Sequence, residues 1–369
     1  MRYADFVDYS TLDPFKRRII NALGPTWANV EGLGVRVVPE SLGQPAVLLD
    51  FVDYDFMLAF KSDCVGTKGH IADKMLAAGW SGDVASLYSG LGVDLIAHNA
   101  NDLICVGAAP LALSDEIGSG RSEWFADEAR VTGLLEGLRR GCDEAEITIP
   151  CGETPTLPDV INPETAYITG SMIGIVRPKE RACWGQSLQA GDVIFGLASS
   201  GIHANGLTLA RRITERLPQG YLTAFGGSAA TGGDWTLGQE LLTPMQIYVK
   251  PVLEMFEAGV ELHYLSNITG SGWRKVMRCG YPFTYVIESL PEPQSIFLFL
   301  QEQGEINDYE AYQTWNMGVG FCLYVAEREA GTIEGICAEY GISVVRLGRV
   351  EEGEKRVILP SLGVEYEAD

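Results

Sequence analysis

The sequence predicts a protein of two domains, each built from mixed strands and helices. The chain has 369 residues, which is long enough for two ordinary domains with separate cores. Apolar strands and amphipathic helices follow one another along it, and a turn-rich connection from Arg177 to Gly191 interrupts them. We therefore predict one domain over residues 1–178 and a second over residues 179–369.

Composition and charge restrict the classes of partner. Hydrophobic residues make up 46% of the chain and charged residues 21%, which is a globular composition. The net charge of −22 argues against nucleic-acid binding, because such binding relies on clustered lysine and arginine. An anionic small-molecule substrate must therefore be held by local charges, backbone amides or metal ions.

Cysteine usage and hydropathy predict a location. The eight cysteines form no Cys-x-x-Cys pair, which is typical of reduced thiols rather than of a disulfide framework or a zinc site. The first residues are polar and acidic, unlike a secretory signal. No stretch approaches the roughly 20 apolar residues of a membrane span. We expect a cytoplasmic protein with no membrane partner.

The N-terminal half combines predicted helices and strands. Leu87, Leu91 and Leu95 recur at every fourth position, which predicts a helix with one buried face. Ser10 to Pro14 is a typical helix start. The basic residues Lys16 to Arg18 are interpreted as a solvated face, with phosphate contact by one of them as the alternative. The predicted helices cover 10–23, 70–78, 84–107 and 128–145, and the predicted strands cover 46–51, 55–60, 147–151 and 166–176.

A polar turn, Asp63 to Lys68, follows the second of these strands. Gly66 allows close approach of a ligand to the backbone, because it has no Cβ and tolerates positive φ. Lys68 adds a compact positive charge, and Asp63 adds a carboxylate that a hard cation prefers. Such a turn suits a metal-bound polyphosphate, although an ordinary strand–helix turn explains the same residues.

Two further carboxylates are candidates for a metal site. Asp102 follows Asn101 and leads directly into the apolar run 103–113, so we expect it to be half-buried and to need a partner. A metal ion is one such partner. Glu153 follows Gly152 at a strand end, where carboxylates commonly face a site. His98 is interpreted as a polar residue on a helix face.

The C-terminal half repeats one strand–loop–helix unit. The strand 193–198 leads into the loop 199–206, and the strand 262–266 leads into the loop 267–272. Each loop places amides and hydroxyls at a helix N-terminus, which favours anion binding. Two such loops predict a phosphorylated ligand.

The rest of the C-terminal half is predicted in less detail. Residues 226–233 are only Gly, Ala, Ser and Thr, and they predict a surface insertion. The segment beyond Glu351 is charged and is predicted to be loose. Further helices are predicted over 207–217, 241–256 and 327–340, and further strands over 321–325 and 342–348.

Seven motifs occur in one order along the chain. They are Asp63-Cys64-Val65-Gly66-Thr67-Lys68, Asn101-Asp102-Leu103, Gly152-Glu153-Thr154, Ser199-Ser200-Gly201-Ile202-His203-Ala204-Asn205-Gly206, Thr243-Pro244-Met245-Gln246-Ile247-Tyr248-Val249-Lys250, Thr269-Gly270-Ser271-Gly272 and Asn316-Met317-Gly318-Val319-Gly320. Together they resemble the aminoimidazole ribonucleotide synthetase family. The resemblance implies an N-terminal α+β domain that dimerises through its sheet and a C-terminal α/β domain.

The same resemblance implies an ATP–magnesium site and a substrate site. Asp63, Asp102 and Glu153 are the implied Mg²⁺ ligands. The residues implied to contact ATP are Asp63, Gly66, Thr67, Lys68, Asn101, Asp102 and Glu153. Those implied to contact the phosphorylated substrate are Ser199, Ser200, Gly201, Asn205, Gly206, Thr269, Gly270, Gly272, Asn316 and Gly318. The catalytic candidates are Lys68, Asp102, His203 and Asn267.

The activity implied by the resemblance is an ATP-dependent cyclo-ligase of purine synthesis. It converts formylglycinamidine ribonucleotide to aminoimidazole ribonucleotide, through phosphorylation of an amide oxygen. The chain departs from the family pattern at Cys64, Asn267 and Ser271; Asn267 stands where the family has a histidine, and His203 is the better-placed substitute. Two alternatives remain open: a relative that phosphorylates another small acceptor, and a paralogue that binds ligand without turnover.

Overall fold

A computed structural model describes residues 2–226 and 235–368. The insertion predicted over 226–233 lies outside these residues, except for Gly226. Two sheets with flanking helices share one continuous apolar core. No helix within the described ranges is both long and apolar enough to cross a membrane.

The first sheet has six strands in the order β1-β2-β3-β6-β4-β5. Its neighbours pair antiparallel, except for the parallel pair β4–β5. The strands are β1 (Val35–Val37), β2 (Val47–Phe51), β3 (Met57–Cys64), β4 (Ala109–Ser119), β5 (Thr148–Glu153) and β6 (Ala166–Val176). The accompanying helices are α1 (Tyr9–Leu23), α2 (Gly69–Ala77), α3 (Val84–Ile104) and α4 (Glu128–Ala145).

Helix α3 is the central element of this half, whereas the leucine spacing predicted only a helix with one buried face. Leu87, Leu91 and Leu95 are all buried, and so are nearly all residues from Leu87 to Ile104. Asp83 caps the helix by accepting a hydrogen bond from the Ala85 backbone N–H, which satisfies one of the free donors of the first turn. A helix enclosed on every side buries its polar side chains too, and these need partners.

The second sheet has seven strands in the order β13-β12-β9-β11-β7-β10-β8. All neighbours are antiparallel, except for the parallel pair β12–β9. The strands are β7 (Val193–Ala198), β8 (Leu262–Asn267), β9 (Phe283–Ile287), β10 (Val319–Val325), β11 (Val344–Glu352), β12 (Arg356–Leu359) and β13 (Val364–Glu367). The helices are α5 (Leu207–Thr214), α6 (Leu237–Leu241), α7 (Val249–Glu257), α8 (Ser295–Gly304), α9 (Asp308–Thr314) and α10 (Ala330–Glu339).

Three local predictions are wrong. The helix predicted over 241–256 is two helices, α6 and α7, separated by an irregular segment over residues 243–248. The end of the chain is not loose, because β12 and β13 pair with each other at the edge of the second sheet. Strand β3 runs on to Cys64. Glu153 is the last residue of β5, which confirms its predicted place at a strand end.

Candidate ligand-binding site

A cavity of about 750 Å³ lies where strand β3 and helix α3 meet the loops of the second sheet. Its lining includes five basic and four acidic residues, so positive charge is concentrated here in a chain with a net charge of −22. The basic residues are Lys16, Lys61, Arg274, Lys275 and Arg278, and the acidic residues are Asp13, Asp63, Asp102 and Glu310.

Lys61 joins two of the cavity carboxylates. Its Nζ lies 2.8 Å from Asp102 Oδ2 and 3.1 Å from Asp63 Oδ2. Strand β3 carries Lys61 and Asp63 on the same face of the sheet, because residues two apart share a face. Burial alone disfavours the ammonium, but Asp102 and Asp63 outweigh it and raise the pKa of Lys61. Lys61 was not among the site residues predicted from the sequence, although its spacing from Asp63 was a usable signal.

Asn267 extends this chain of contacts. It is enclosed at the end of β8, and its Nδ2 donates a hydrogen bond to Asp102 Oδ1 at 2.8 Å. Burial opposes ionisation of Asp102. Lys61, Arg278 and Asn267 outweigh that effect, so the pKa of Asp102 is lowered. Asp102 therefore stays ionised near neutral pH, and its partner is a lysine rather than the metal ion considered from the sequence.

Both predicted anion loops reach the cavity. Asn205 and Gly206 from the first loop, and Thr269 and Gly270 from the second, line its wall. Asn205 Nδ2 is buried without a hydrogen-bond partner among the described residues, so an unsatisfied donor lies beside the cavity.

Two glycines fix the shape of these loops. Gly206 has φ 71°, and a Cβ there would lie 2.5 Å from a ring carbon of Trp315. Gly272 has φ 51°, and a Cβ there would lie 2.2 Å from the Tyr312 carbonyl oxygen. Each position therefore requires glycine for both its conformation and its close packing. Gly272 acts in this way rather than as part of the cavity lining.

A basic turn follows the second loop and was not assigned from the sequence. Residues Gly272–Met277 form a 3-10 helix that brings Arg274 and Lys275 to the cavity beside Arg278. Burial, together with the charge of Arg278, lowers the pKa of Lys275 to about 7. The close spacing of three basic residues immediately after an anion loop was the available signal.

The N-terminal segment also closes one side of the cavity. Tyr3, Ala4, Asp13 and Lys16 line it, and the Tyr3 backbone N–H donates to Glu310 Oε1 at 2.6 Å. Lys16 was interpreted from the sequence as solvated surface. Its Nζ pairs with Asp13 Oδ1 at 2.8 Å, at the edge of the cavity.

Lys68 does not line the cavity, contrary to what a phosphate contact requires. Its Nζ lies 2.8 Å from Asp94 Oδ2 and donates to the Thr243 carbonyl at 2.6 Å. Both side chains are 0% exposed. Burial lowers the pKa of Lys68, and Asp94 opposes that shift. The structure therefore places Lys68 in a buried ion pair at the start of segment 243–248.

Asn101 contacts the same segment instead of the cavity. Its Nδ2 donates to the Gln246 carbonyl and its Oδ1 accepts from the Tyr248 N–H, both at 2.9 Å. Asp94 Oδ1 accepts from the Met245 N–H at 2.8 Å. We call Lys68, Asp94 and Asn101 the α3 clamp. These three side chains satisfy backbone groups that a helix would otherwise pair internally, which explains why 243–248 is not helical.

The three carboxylates expected to bind Mg²⁺ are not brought together. Asp63 and Asp102 share Lys61, whereas Glu153 is exposed on the edge strand β5. Over residues 2–226 and 235–368, no group of three or more His, Cys, Asp or Glu side chains is arranged to hold a metal ion. Gly66, exposed at φ 61°, and Thr67 also lie outside the cavity lining. The residues of this chain do not fit the expected metal site.

His203 is enclosed behind its loop and does not line the cavity. Its Nε2 accepts a hydrogen bond from the Ser200 N–H at 3.3 Å. Burial and the nearby charge of Lys68 lower the pKa of His203 to about 3. A neutral imidazole that serves as a backbone acceptor holds the loop in place, so this geometry does not support the catalytic assignment of His203.

The remaining loop residues support one another. Ser199 Oγ donates to Asn316 Oδ1 at 3.0 Å, and Asn316 Nδ2 donates to the Gly201 carbonyl at 2.9 Å. The Gly318 N–H donates to Asn316 Oδ1 at 2.9 Å. Ser200 Oγ donates to the Pro244 carbonyl at 2.5 Å. Among the substrate candidates, these residues shape the first loop from behind rather than line the cavity.

Fold and site together define a class: proteins of two mixed sheets that enclose a polar cavity with two anion loops. The family model described as AIR synthase related protein, N-terminal domain, matches residues 43–176, and the corresponding C-terminal domain model matches residues 189–359. The chain belongs to the AIR synthase related family.

Two relatives and one solved structure show what the chain is similar to. The phosphoribosylformylglycinamidine cyclo-ligase of Methanocaldococcus jannaschii is 39% identical over 301 residues, covering 80% of this chain and 79% of the relative. That of Methanosarcina acetivorans is 37% identical over 325 residues, covering 85% and 88%. The solved structure of AaThiL complexed with AMPPCP and TMP shares the fold, with a TM-score of 0.59 at 16% identity and coverage of 100% and 97%.

Proposed function

We propose that the protein is an ATP-dependent cyclo-ligase that converts formylglycinamidine ribonucleotide to aminoimidazole ribonucleotide, with release of ADP and phosphate. The observation that carries this proposal is the polar cavity in which both anion loops meet the Lys61–Asp102–Asn267 contacts. Curated relatives named as cyclo-ligases, at 37–39% identity over most of the chain, support it. The alternative, a kinase that phosphorylates another small acceptor, is supported only by solved structures of much lower sequence identity, such as AaThiL at 16%.

The proposed chemistry needs positioning and charge neutralisation. ATP transfers its terminal phosphoryl group to the amide oxygen of the substrate, and an amine of the same molecule then closes the ring and expels phosphate. Asn205 and the loop at Thr269-Gly270 are proposed to hold phosphoryl oxygens. Lys61, Lys275 and Arg278 are proposed to neutralise the charge that develops on them.

Asp102 and Asn267 are proposed to position Lys61 and the substrate. Asparagine donates and accepts hydrogen bonds but does not titrate near neutral pH, so Asn267 cannot transfer the proton of the attacking amine. Its Oδ1 is buried and unpartnered among the described residues. Asn267 is enclosed and does not line the cavity, so we propose that it acts on the site through its hydrogen bond to Asp102.

ATP is the proposed co-substrate, and Mg²⁺ is proposed to arrive bound to it. AaThiL was solved with the ATP analogue AMPPCP, which supports nucleotide use by this fold. The carboxylates of the described residues do not form the expected three-ligand site, so the proposed steps use no resident metal ion.

A homodimer is proposed, formed through the outer face of the first sheet. Phe60 and Ile173 are neighbours on that face and are 49% and 37% exposed. Leu111 is 41% exposed on the adjoining strand β4. An apolar sheet face of this kind favours burial against a second copy. We also propose a domain boundary near residue 178 and a cytoplasmic location. Light scattering should give about twice the 40.1 kDa chain mass; a monomer mass would contradict the dimer.

Activity is tested by incubating the purified protein with Mg-ATP, with and without formylglycinamidine ribonucleotide. We expect ADP, phosphate and aminoimidazole ribonucleotide in equal amounts, and little ADP without the substrate. ADP release with thiamine phosphate but not with formylglycinamidine ribonucleotide would favour the other-acceptor kinase. Binding of both ligands without any product would favour the non-catalytic paralogue.

A further inference from the structure

The Lys61 ammonium lies where a bridging metal ion would be expected. A cation shared by two carboxylates is the usual arrangement of a hard-metal site, and Asp63 and Asp102 present such a pair. The Lys61 Nζ lies within 3.1 Å of one oxygen of each. The side chain of Lys61 is 17% exposed and that of Asp102 is 6% exposed, so the ammonium is held in place rather than loosely solvated.

Protein groups also occupy the other oxygen of each carboxylate. Asp63 Oδ1 accepts a hydrogen bond from the Cys64 N–H at 2.8 Å. Asp102 Oδ1 accepts from Asn267 Nδ2 at 2.8 Å. A metal ion would therefore have to displace the lysine or break these hydrogen bonds.

The surrounding charge acts against a free divalent cation as well. Arg274, Lys275 and Arg278 line the same cavity, and Arg278 is close enough to help lower the pKa of Asp102. Like charges at short range inside a protein repel strongly, because the effective dielectric is low. The cavity thus suits an anion, or a cation already neutralised by an anion.

We propose that Lys61 is a built-in counter-ion: it replaces a divalent cation between Asp63 and Asp102, so that the nucleotide-free enzyme binds no metal at this pair and presents a fixed positive charge to the ligand. This inference concerns the enzyme without nucleotide or substrate. It therefore stands or fails independently of the cyclo-ligase activity.

Binding of Mn²⁺, measured by electron paramagnetic resonance without nucleotide, tests the proposal. Wild-type protein and Lys61→Arg, which keeps the charge, should show no Asp102-dependent binding at about 1 mM Mn²⁺, a concentration at which weak oxygen sites are occupied. Lys61→Met should bind at least about tenfold more tightly, because a nearby positive charge is removed. The gain should disappear in the Lys61→Met/Asp102→Asn double variant.

Lys179→Met is the matched control. Lys179 has a similar exposure, 23%, and its Nζ lies 2.6 Å from Asp50 Oδ1, outside the cavity. It should gain no Mn²⁺ site, because Arg36 remains as a partner of Asp50.

Two results would overturn the proposal. One is wild-type Mn²⁺ binding that Asp102→Asn abolishes. The other is folded Lys61→Met that binds no more tightly than wild type. If Lys61→Met does not fold, the comparison of wild type with Asp102→Asn decides: equal absence of binding supports the proposal, and Asp102-dependent binding contradicts it.

Discussion

Helix α3 carries two aspartates, each paired with a lysine at the same distance but in different surroundings. The Lys68–Asp94 and Lys61–Asp102 pairs both have a shortest N–O distance of 2.8 Å. The first pair is 0% exposed on both sides, whereas the second opens onto the cavity. The same lysine–aspartate pairing is therefore structural at Lys68–Asp94, whereas at Lys61–Asp102 it forms part of the candidate site.

The difference lies in what else each lysine contacts. Lys68 donates to the Thr243 carbonyl, within the segment that the α3 clamp holds. Lys61 has a second carboxylate, Asp63, beside it. Accordingly, burial lowers the pKa of Lys68, whereas the two carboxylates raise that of Lys61. The environment, rather than the residue type, indicates which lysine meets a ligand.

The largest expected effect is on stability, at the enclosed pair. Lys68→Met removes one partner of a buried ion pair, and the Asp94 charge left behind should cost about 3–5 kcal/mol. The free energy of unfolding in urea measures this. Lys68→Met/Asp94→Leu should recover much of the loss, because no uncompensated charge remains. Unchanged unfolding with abolished activity would instead make Lys68 a ligand contact.

The second prediction concerns the cavity pair. Asp102→Asn keeps the shape and an acceptor for Asn267, but it removes one of the two charges that hold Lys61. We expect kcat/KM to fall by about 10²–10³-fold, the usual effect of losing one preorganised electrostatic group. Urea unfolding should change much less than in Lys68→Met. Full activity, or an equally large loss of stability, would erase the distinction between the two pairs.

The sequence predicted most of the fold but only part of the site. The leucine spacing of α3 and the first strand–loop–helix unit predicted their elements correctly, because those signals are local. The helix predicted after the second loop is the short 3-10 helix Gly272–Met277. Segment 243–248 was predicted as helix, since its partners Asp94 and Asn101 are distant in sequence. For the same reason the sequence did not indicate which lysine is enclosed, and it predicted for Lys68 the phosphate contact that we propose for Lys61.

A third, smaller effect should appear in the pH dependence. The pKa of Lys275 is about 7, and Arg278, Asp102, Lys61 and Lys16 surround it. A phosphorylated ligand binds best when Lys275 is charged, so its Kd should rise as the pH rises through 7. In the ligand-free protein, by contrast, the free energy of unfolding should increase with pH. Between about pH 7 and 10, Lys275 is protonated in the unfolded chain but largely neutral in the folded chain, so raising the pH favours the folded state.

Lys275→Arg tests this assignment, because arginine stays charged over the whole range. The substrate Kd is measured by calorimetry between about pH 6 and 9, a range that includes the Lys275 pKa of about 7. In Lys275→Arg this Kd should become nearly independent of pH. An unchanged slope in Lys275→Arg would assign the titration to another group.

The smallest effect is expected at the N-terminal helix. Lys16→Ala should raise the substrate KM by only a few-fold, because a charge at an open edge contributes about 0.2–1 kcal/mol. Arg17→Ala is the matched control, since Arg17 is exposed on the same helix and does not line the cavity. Equal effects of the two substitutions would indicate general charge attraction rather than a contact from Lys16.

A crystal structure with formylglycinamidine ribonucleotide and a non-hydrolysable ATP analogue tests most directly which of the two pairs serves the ligand. We predict phosphoryl oxygens within hydrogen-bond reach of Asn205, Thr269-Gly270 and Lys61, with the Lys68–Asp94 pair closed. A phosphoryl group bound to Lys68, with Asp94 released from it, would contradict the distinction drawn between the two pairs.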